Sequence, residues 1–307
     1  MRQSTHSRRP PRPRFVPSVL VVLAVAAGAL TGCGGDDDGD VPGVAGRTAA
    51  AASGPRSLAI TARATGAKSA EYAMPATVEA GLTTITLRNE TKGPREASLV
   101  RVEGDHTLTE VLEVINDQGG APIPDWIHAD GGVAIVAPGQ AGTATQNLVP
   151  GDYYVTDSTD PDSGVTPAKP YRFTVTGPVS EGALPAAPAT VIAKDYGFTF
   201  AGLKAGKNTI RFENTGKELH HALFFGEAPG ATRAEVLKFF SARGEVPGKP
   251  PLDFARMSGT TVLDGGLAQN TELDLKPGRY AVVCFVSDRA GGPPHLAKGM
   301  FAEITVK

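Results

Sequence analysis

Beyond residue 55 the chain is built from short stretches in which apolar and polar positions alternate, separated by Gly-, Pro- and Asp-rich breaks. Side chains two apart on a strand share a face, so this period predicts strands with one buried row, and many of them in a row predict a β-sandwich. The clearest case is Arg279 to Val306, RYAVVCFVSDRAGGPPHLAKGMFAEITV. Tyr280, Val282 and Cys284 fall on one row. After a Gly/Pro-rich loop carrying His295, Met300, Ala302, Ile304 and Val306 fall on one row of a second strand. The period changes to a helical one at two places only, after Thr107 and after Thr232. There Thr-x-x-Glu (Thr107/Glu110, Thr232/Glu235) writes a capping box ahead of Val111 and Leu112, and of Val236, Leu237 and Phe240.

The pattern is also written twice. Ile85-Thr86-Leu87-Arg88-Asn89 returns as Ile210-Arg211-Phe212-Glu213-Asn214. The Thr107 block returns at Thr232, and Leu148-Val149-Pro150-Gly151-Asp152-Tyr153 returns as Leu275-Lys276-Pro277-Gly278-Arg279-Tyr280. Three blocks in one order, separated nearly equally, predict two tandem copies of one fold: 56–177 and 188–307, joined by a Pro/Ala-rich linker at 178–187. In both copies Pro-Gly precedes the penultimate strand, as a type II turn requires.

Composition alters this picture at the N-terminus. Arg2, Arg8, Arg9, Arg12 and Arg14 precede the apolar run Val16 to Leu30 and then Leu30-Thr31-Gly32-Cys33, the form of a secretion signal over 1–32. Small residues before a Cys resemble the bacterial lipobox, which implies lipidation of Cys33, a membrane anchor and an extracytoplasmic location. The acidic, small-residue stretch 33–55 then reads as a flexible tether. Without 1–32 the formal charge falls from -2 to -7, an acidic balance that argues against nucleic acid as a partner. Two cysteines are present, and with Cys33 lipidated Cys284 is a lone thiol in an oxidising compartment, where a ligating role is expected.

One loop thus gathers Cys284, His295 and Met300. A thiolate, an imidazole and a thioether suit copper, and a second imidazole from His220 or His221 completes a His2Cys set with axial Met. Neighbouring strand residues face opposite ways. In the first copy the row equivalent to His220 (Arg95, Ala97, Leu99) is more apolar inside than Glu96, Ser98, Val100, which favours His220. His106 and His128 have no Cys or Met in the equivalent loop and read as solvated loop histidines.

An upstream strand His followed by Cys, His and Met, ending H-x4-M in HLAKGM, resembles the cupredoxins, the type 1 blue copper domains. There the first His opens a strand as P-H-N. ELHHALFF is similar, with Leu219 for Pro, His220 as ligand, and His221 for the Asn that braces the Cys loop. Ten residues, Phe285 to Pro294, separate Cys from His, an enlarged loop like that of copper nitrite reductases. The resemblance implies an all-β protein of two tandem Greek-key, cupredoxin-like sandwiches, each with a short inserted helix. One type 1 copper would sit in the second, on His220, Cys284, His295 and Met300. It also implies one-electron transfer with a redox partner protein that the sequence does not name. Copper delivery or storage, or a metal-free protein-binding module, stands as the alternative. Val283 and Phe285 flank Cys284 where copper enzymes of this family place His, so the chain is expected not to be an enzyme. Aligned, the copies put Arg95 at the His220 position and Asp157 at the Cys284 position, which predicts an ion pair in place of the metal.

Overall fold

The structure is a computed structural model that describes residues 54–117, 119–157, 166–242, 244 and 246–307. The signal, Cys33 and nearly all of the tether lie outside the described residues. The protein is an all-β sandwich. In the first copy the strands are β1 (Arg56–Ala64), β2 (Ala70–Ala73), β3 (Thr77–Glu79), β4 (Gly81–Glu90), β5 (Arg95–Val102), β6 (Ile127–Val136), β7 (Ala141–Leu148), β8 (Gly151–Thr156) and β9 (Tyr171–Thr176), with helix α1 (Leu108–Ile115) between β5 and β6. The second has β10 (Ala189–Lys194), β11 (Gly197–Ala201), β12 (Gly206–Asn214), β13 (Leu223–Glu227), β14 (Leu252–Gly259), β15 (Ala268–Leu275), β16 (Gly278–Val283) and β17 (Phe301–Val306), with α2 (Arg233–Ser241) between β13 and β14.

The repeat in sequence is a repeat in register. Ser98 pairs with Thr156 and Leu99 with Val155, as Leu223 pairs with Val283 and Phe224 with Val282. The residues that recur do the same work in both halves. Asn89 donates from Nδ2 to the Gly93 and Val136 carbonyls, and Asn214 to those of Glu218 and Leu263, all at 2.8–2.9 Å. Tyr153 and Tyr280 are wholly buried rings whose hydroxyls reach the carbonyls of Val149 and Lys276. Each helix opens on its capping box, with the Thr hydroxyl accepting from the Glu N–H and the Glu carboxylate from the Thr N–H.

Each half has its own core between its sheets, one around Leu58, Ile85, Leu99 and Phe173, the other around Val191, Phe212, Phe224 and Tyr280. Apolar residues on the far side of the outer sheets pack with the helices. Phe225, Ala281 and Val283 meet Val236 and Phe239 of α2, so β16 is buried on both faces and not on one row alone. Phe239, not Leu237, is the second buried residue of α2.

The halves share one eight-stranded sheet, ordered β11-β10-β12-β15-β7-β4-β1-β2, through antiparallel pairing of β15 with β7. Thr271 pairs with Ala144, its own counterpart in the repeat, so the junction relates the halves by a local pseudo-two-fold. The stretch 178–187 is tied to both halves: Asn147 brackets Gly182, and Arg211 and Asn270 both bind the Pro185 carbonyl. His128 is likewise no solvated loop residue. It sits in β6 with Nδ1 3.1 Å from Asp264 of the other half and Nε2 3.0 Å from Glu103. His106 stacks on Trp126 with ring centroids 3.8 Å apart.

Arg95 and Asp157 form the ion pair that the alignment predicts, Nη1 to Oδ2 at 3.2 Å, and both side chains are buried. Arg95 also donates to the Thr166 carbonyl, and Asp157 accepts from the Ala168 N–H. A pair exposed to water is worth about 0–1 kcal/mol, but removing one member of a buried pair strands the other charge. Arg95→Met should therefore cost about 3 kcal/mol in urea denaturation, the low end for a broken buried pair because Ala168 still serves Asp157. A loss of less than about 1 kcal/mol, as for a surface pair, would contradict this role.

Candidate metal centre

Cys284 is the residue just beyond β16, Met300 the one just before β17, and the two strands pair from Gly278↔Val306 to Val283↔Phe301. The hairpin therefore brings both side chains to one end of the sandwich. Between them His295 opens a single 3-10 turn (His295–Lys298) that ends on Gly299, whose φ of 96° lies where Gly is favoured. Backbone bonds stitch the loop to the site: His295 N–H to Val286 O, Leu296 N–H to Cys284 O and Met300 N–H to His295 O, all 2.8–2.9 Å. The fourth residue arrives on another strand. His220 lies ahead of β13 and is locked by a bridge to Leu263 in both directions, N–H to O at 3.0 and 2.9 Å.

All four residues are fully buried. His220, Cys284 and His295 present their ligand atoms to one point. Cys284 Sγ is 3.9 Å from His220 Nδ1 and 3.5 Å from His295 Nδ1, and the two Nδ1 atoms are 3.0 Å apart. Met300 packs in the same buried cluster as Cys284. His221 points elsewhere: its Nε2 accepts the Phe285 N–H at 2.9 Å. An imidazole thereby ties the strand opening at His220 to the loop beyond Cys284, the task assigned to Asn in the resemblance.

Each ligand-facing imidazole is held from behind. His220 Nε2 is 2.8 Å from Asp195 Oδ1, and His295 Nε2 is 2.9 Å from Asp288 Oδ1. A carboxylate only accepts, so each Nε2 carries the proton and each Nδ1 faces the site with a bare lone pair. Burial lowers His220 below the ordinary imidazole value against the opposing pull of Asp195, and takes His295 down to about 4, with His220 as the next cause. Burial also pushes the Cys284 thiol up to about 12, although the His221 and Val286 N–H groups favour the thiolate. Both imidazoles are thus neutral and ready to ligate at neutral pH, and binding of a cation displaces the thiol proton.

Asp195 and Asp288 carry no motif and were not singled out in the sequence. Asp195 lies far upstream between β10 and β11. Burial raises its pKa, but the Lys217 and Glu218 N–H groups and His220 outweigh that and hold it below the carboxylate norm. Asp288 comes from the enlarged loop, is likewise held low by Lys298 and Tyr196, and shares the Tyr196 ring with His295, the rings 5.1 Å apart edge to face.

The length of that loop has a structural use. It docks on the first half, with Ile123 N–H to Arg289 O and Gly292 N–H to Gly120 O, both 2.8 Å. Arg289 spans the carbonyls of Pro124 and Ile127 and reaches Asp264 at 2.7 Å. Any Cβ at Gly120, φ 76°, would strike the Gly292 carbonyl.

The donor set fits a metal. Ligands bound at about 2.0–2.3 Å and splayed at trigonal to tetrahedral angles stand roughly 3–4 Å apart, as these three donors do. A thiolate, two imidazoles and a nearby thioether are the set that copper takes in His2Cys sites.

No protein-family model matches the sequence, and no curated protein does. Among solved structures the chain is similar to auracyanin from the photosynthetic bacterium Roseiflexus castenholzii, at 19% identity over 38% of this chain and 94% of that one, TM-score 0.26. It is also similar to copper nitrite reductase from Nitrosomonas europaea, at 15% identity over 82% and 93%, TM-score 0.24, and to a multicopper oxidase, at 14% over 82% and 88%, TM-score 0.22. The last two are enzymes, which corrects the expectation that this chain is not one. That expectation rests on the absence of His beside Cys284, and the neighbours of one residue do not decide whether a protein is an enzyme.

Proposed function

We propose that this chain is an extracytoplasmic, membrane-anchored copper protein that passes single electrons through one type 1 site, with His220, Cys284 and His295 as equatorial ligands and Met300 as the weak axial one. The observation that carries this reading is the convergence of two bare Nδ1 atoms and one thiol in a fully buried site, each imidazole backed by a carboxylate. Bound copper would supply a one-electron couple. The protein's part is to fix the donors in place beforehand, so that little has to move when the charge at the site changes. The hairpin, the bridge at Leu263 and the docked loop all serve that rigidity. The five arginines, the apolar run and Leu-Thr-Gly-Cys33 support secretion and lipidation, which would leave the fold tethered at a membrane surface by 33–55. A membrane-held redox partner suits such a tether.

Copper(II) added to a soluble fragment starting at residue 56 should give an intense visible band and a narrow copper hyperfine splitting, and a pale, tetragonal-type spectrum would contradict the type 1 assignment. Cys284→Ser should abolish the band, while Met300→Leu should keep it and shift the potential, because the thiolate bond makes the colour and the thioether tunes it. Retention of the band in Cys284→Ser would overturn the ligand assignment. Cys33→Ser should move the full-length protein from the membrane to the soluble fraction. Its retention at the membrane would require another anchor.

A further inference from the structure

The two carboxylates behind the imidazoles are the least expected feature of the site. They come from unrelated segments, the β10–β11 turn and the loop after β16, yet they stand in matching positions: 2.8 Å from Nε2 of His220 and 2.9 Å from Nε2 of His295. Both are built in. Asp195 Oδ1 and Oδ2 accept the Lys217 N–H, and a Cβ on Gly216 would collide with its carboxylate, so that neighbour leaves room for it. Asp288 takes bonds from the Tyr196 hydroxyl and from Lys298. Their side chains are 26% and 17% exposed, whereas both imidazoles are fully buried. The carboxylates, not the ring edges, therefore stand between the ligands and solvent.

We infer that Asp195 and Asp288 are positioning residues that act through His220 and His295: each fixes its ring as the Nε2–H tautomer with Nδ1 turned to the site, and together they bias bound copper toward its oxidised state. The inference rests on the copper reading for its second half only. The first half is a property of the metal-free chain. A hydrogen bond to a carboxylate makes an imidazole a stronger donor, and two negative charges near the site favour the more positive form of an ion. Lys298 offsets part of the Asp288 charge, whereas Asp195 has no Lys or Arg ion-pair partner among the described residues and faces only the neutral His220 ring, so Asp195 is expected to carry the larger share.

Two substitutions at each position separate the hydrogen bond from the charge. Asp→Asn keeps an oxygen acceptor and loses the charge, and Asp→Leu loses both. In the metal-free protein, nitrogen NMR of the histidine rings should show His220 and His295 as Nε2–H tautomers. Asp195→Leu should mix the tautomers of His220 alone, Asp288→Leu those of His295 alone, and the Asn variants should keep them. With copper, Asp195→Asn should favour reduction by about tenfold, ~59 mV for a one-electron couple, with the visible band retained. A proton on Nδ1 of either ring in the parent protein, or Leu variants that leave tautomer and potential unmoved, would overturn the inference. The NMR pattern without any blue band in the parent would instead uphold the positioning role and refute the type 1 reading alone.

Discussion

Two imidazole nitrogens facing one another at 3.0 Å, each with its lone pair exposed, repel unless a positive charge or a proton lies between them. The fold imposes this arrangement. Asp195 and Asp288 keep both protons at Nε2, the buried Cys284 thiol can donate its one hydrogen bond to a single nitrogen, and desolvation opposes protonation of either ring. The cluster is tolerable because the surrounding β-structure over-determines it. A cation is the group that resolves it.

The two halves show two solutions to one mechanical problem. In both, the strand before the helix and the strand after the Pro-Gly turn pair in the same register, and the end of the sandwich has to be tied across them. The second half places His220 and Cys284 there. The first places Arg95 and Asp157, which meet directly. With its own end closed by an ion pair, the first half uses its neighbouring surface differently. The segment around Leu263 bridges to Asp130 on one side and to His220 on the other, and the Arg289 loop lies across the carbonyls of Pro124 and Ile127. The first half thus buttresses both sides of the candidate site in the second.

Much of this was legible in the chain. Alternation gave the strands, the capping boxes at Thr107 and Thr232 gave both helices, and the three repeated blocks gave the shared register, because each rests on local rules of period and turn chemistry. The inward choice of His220 over His221 followed from the apolar row of the first copy. What was not legible depends on distance in sequence. Asp195 carries no local signal and reaches His220 only through folding, and the docking of the Arg289 loop needs the other half in place. The burial of the Arg95–Asp157 pair is not legible for the same reason: a charge at a strand end reads as solvated until the segment around Ala168 that covers it is in place. His128 was misread similarly, since its partner Asp264 belongs to the other half.

The proposed function requires His220, Cys284 and His295 to hold one copper ion together. X-ray absorption at the copper edge of the loaded, soluble protein measures that shell directly. One sulfur at about 2.2–2.3 Å and two nitrogens at about 2.0 Å are expected, at one copper per chain. A shell of nitrogen and oxygen alone, with no sulfur, would contradict it.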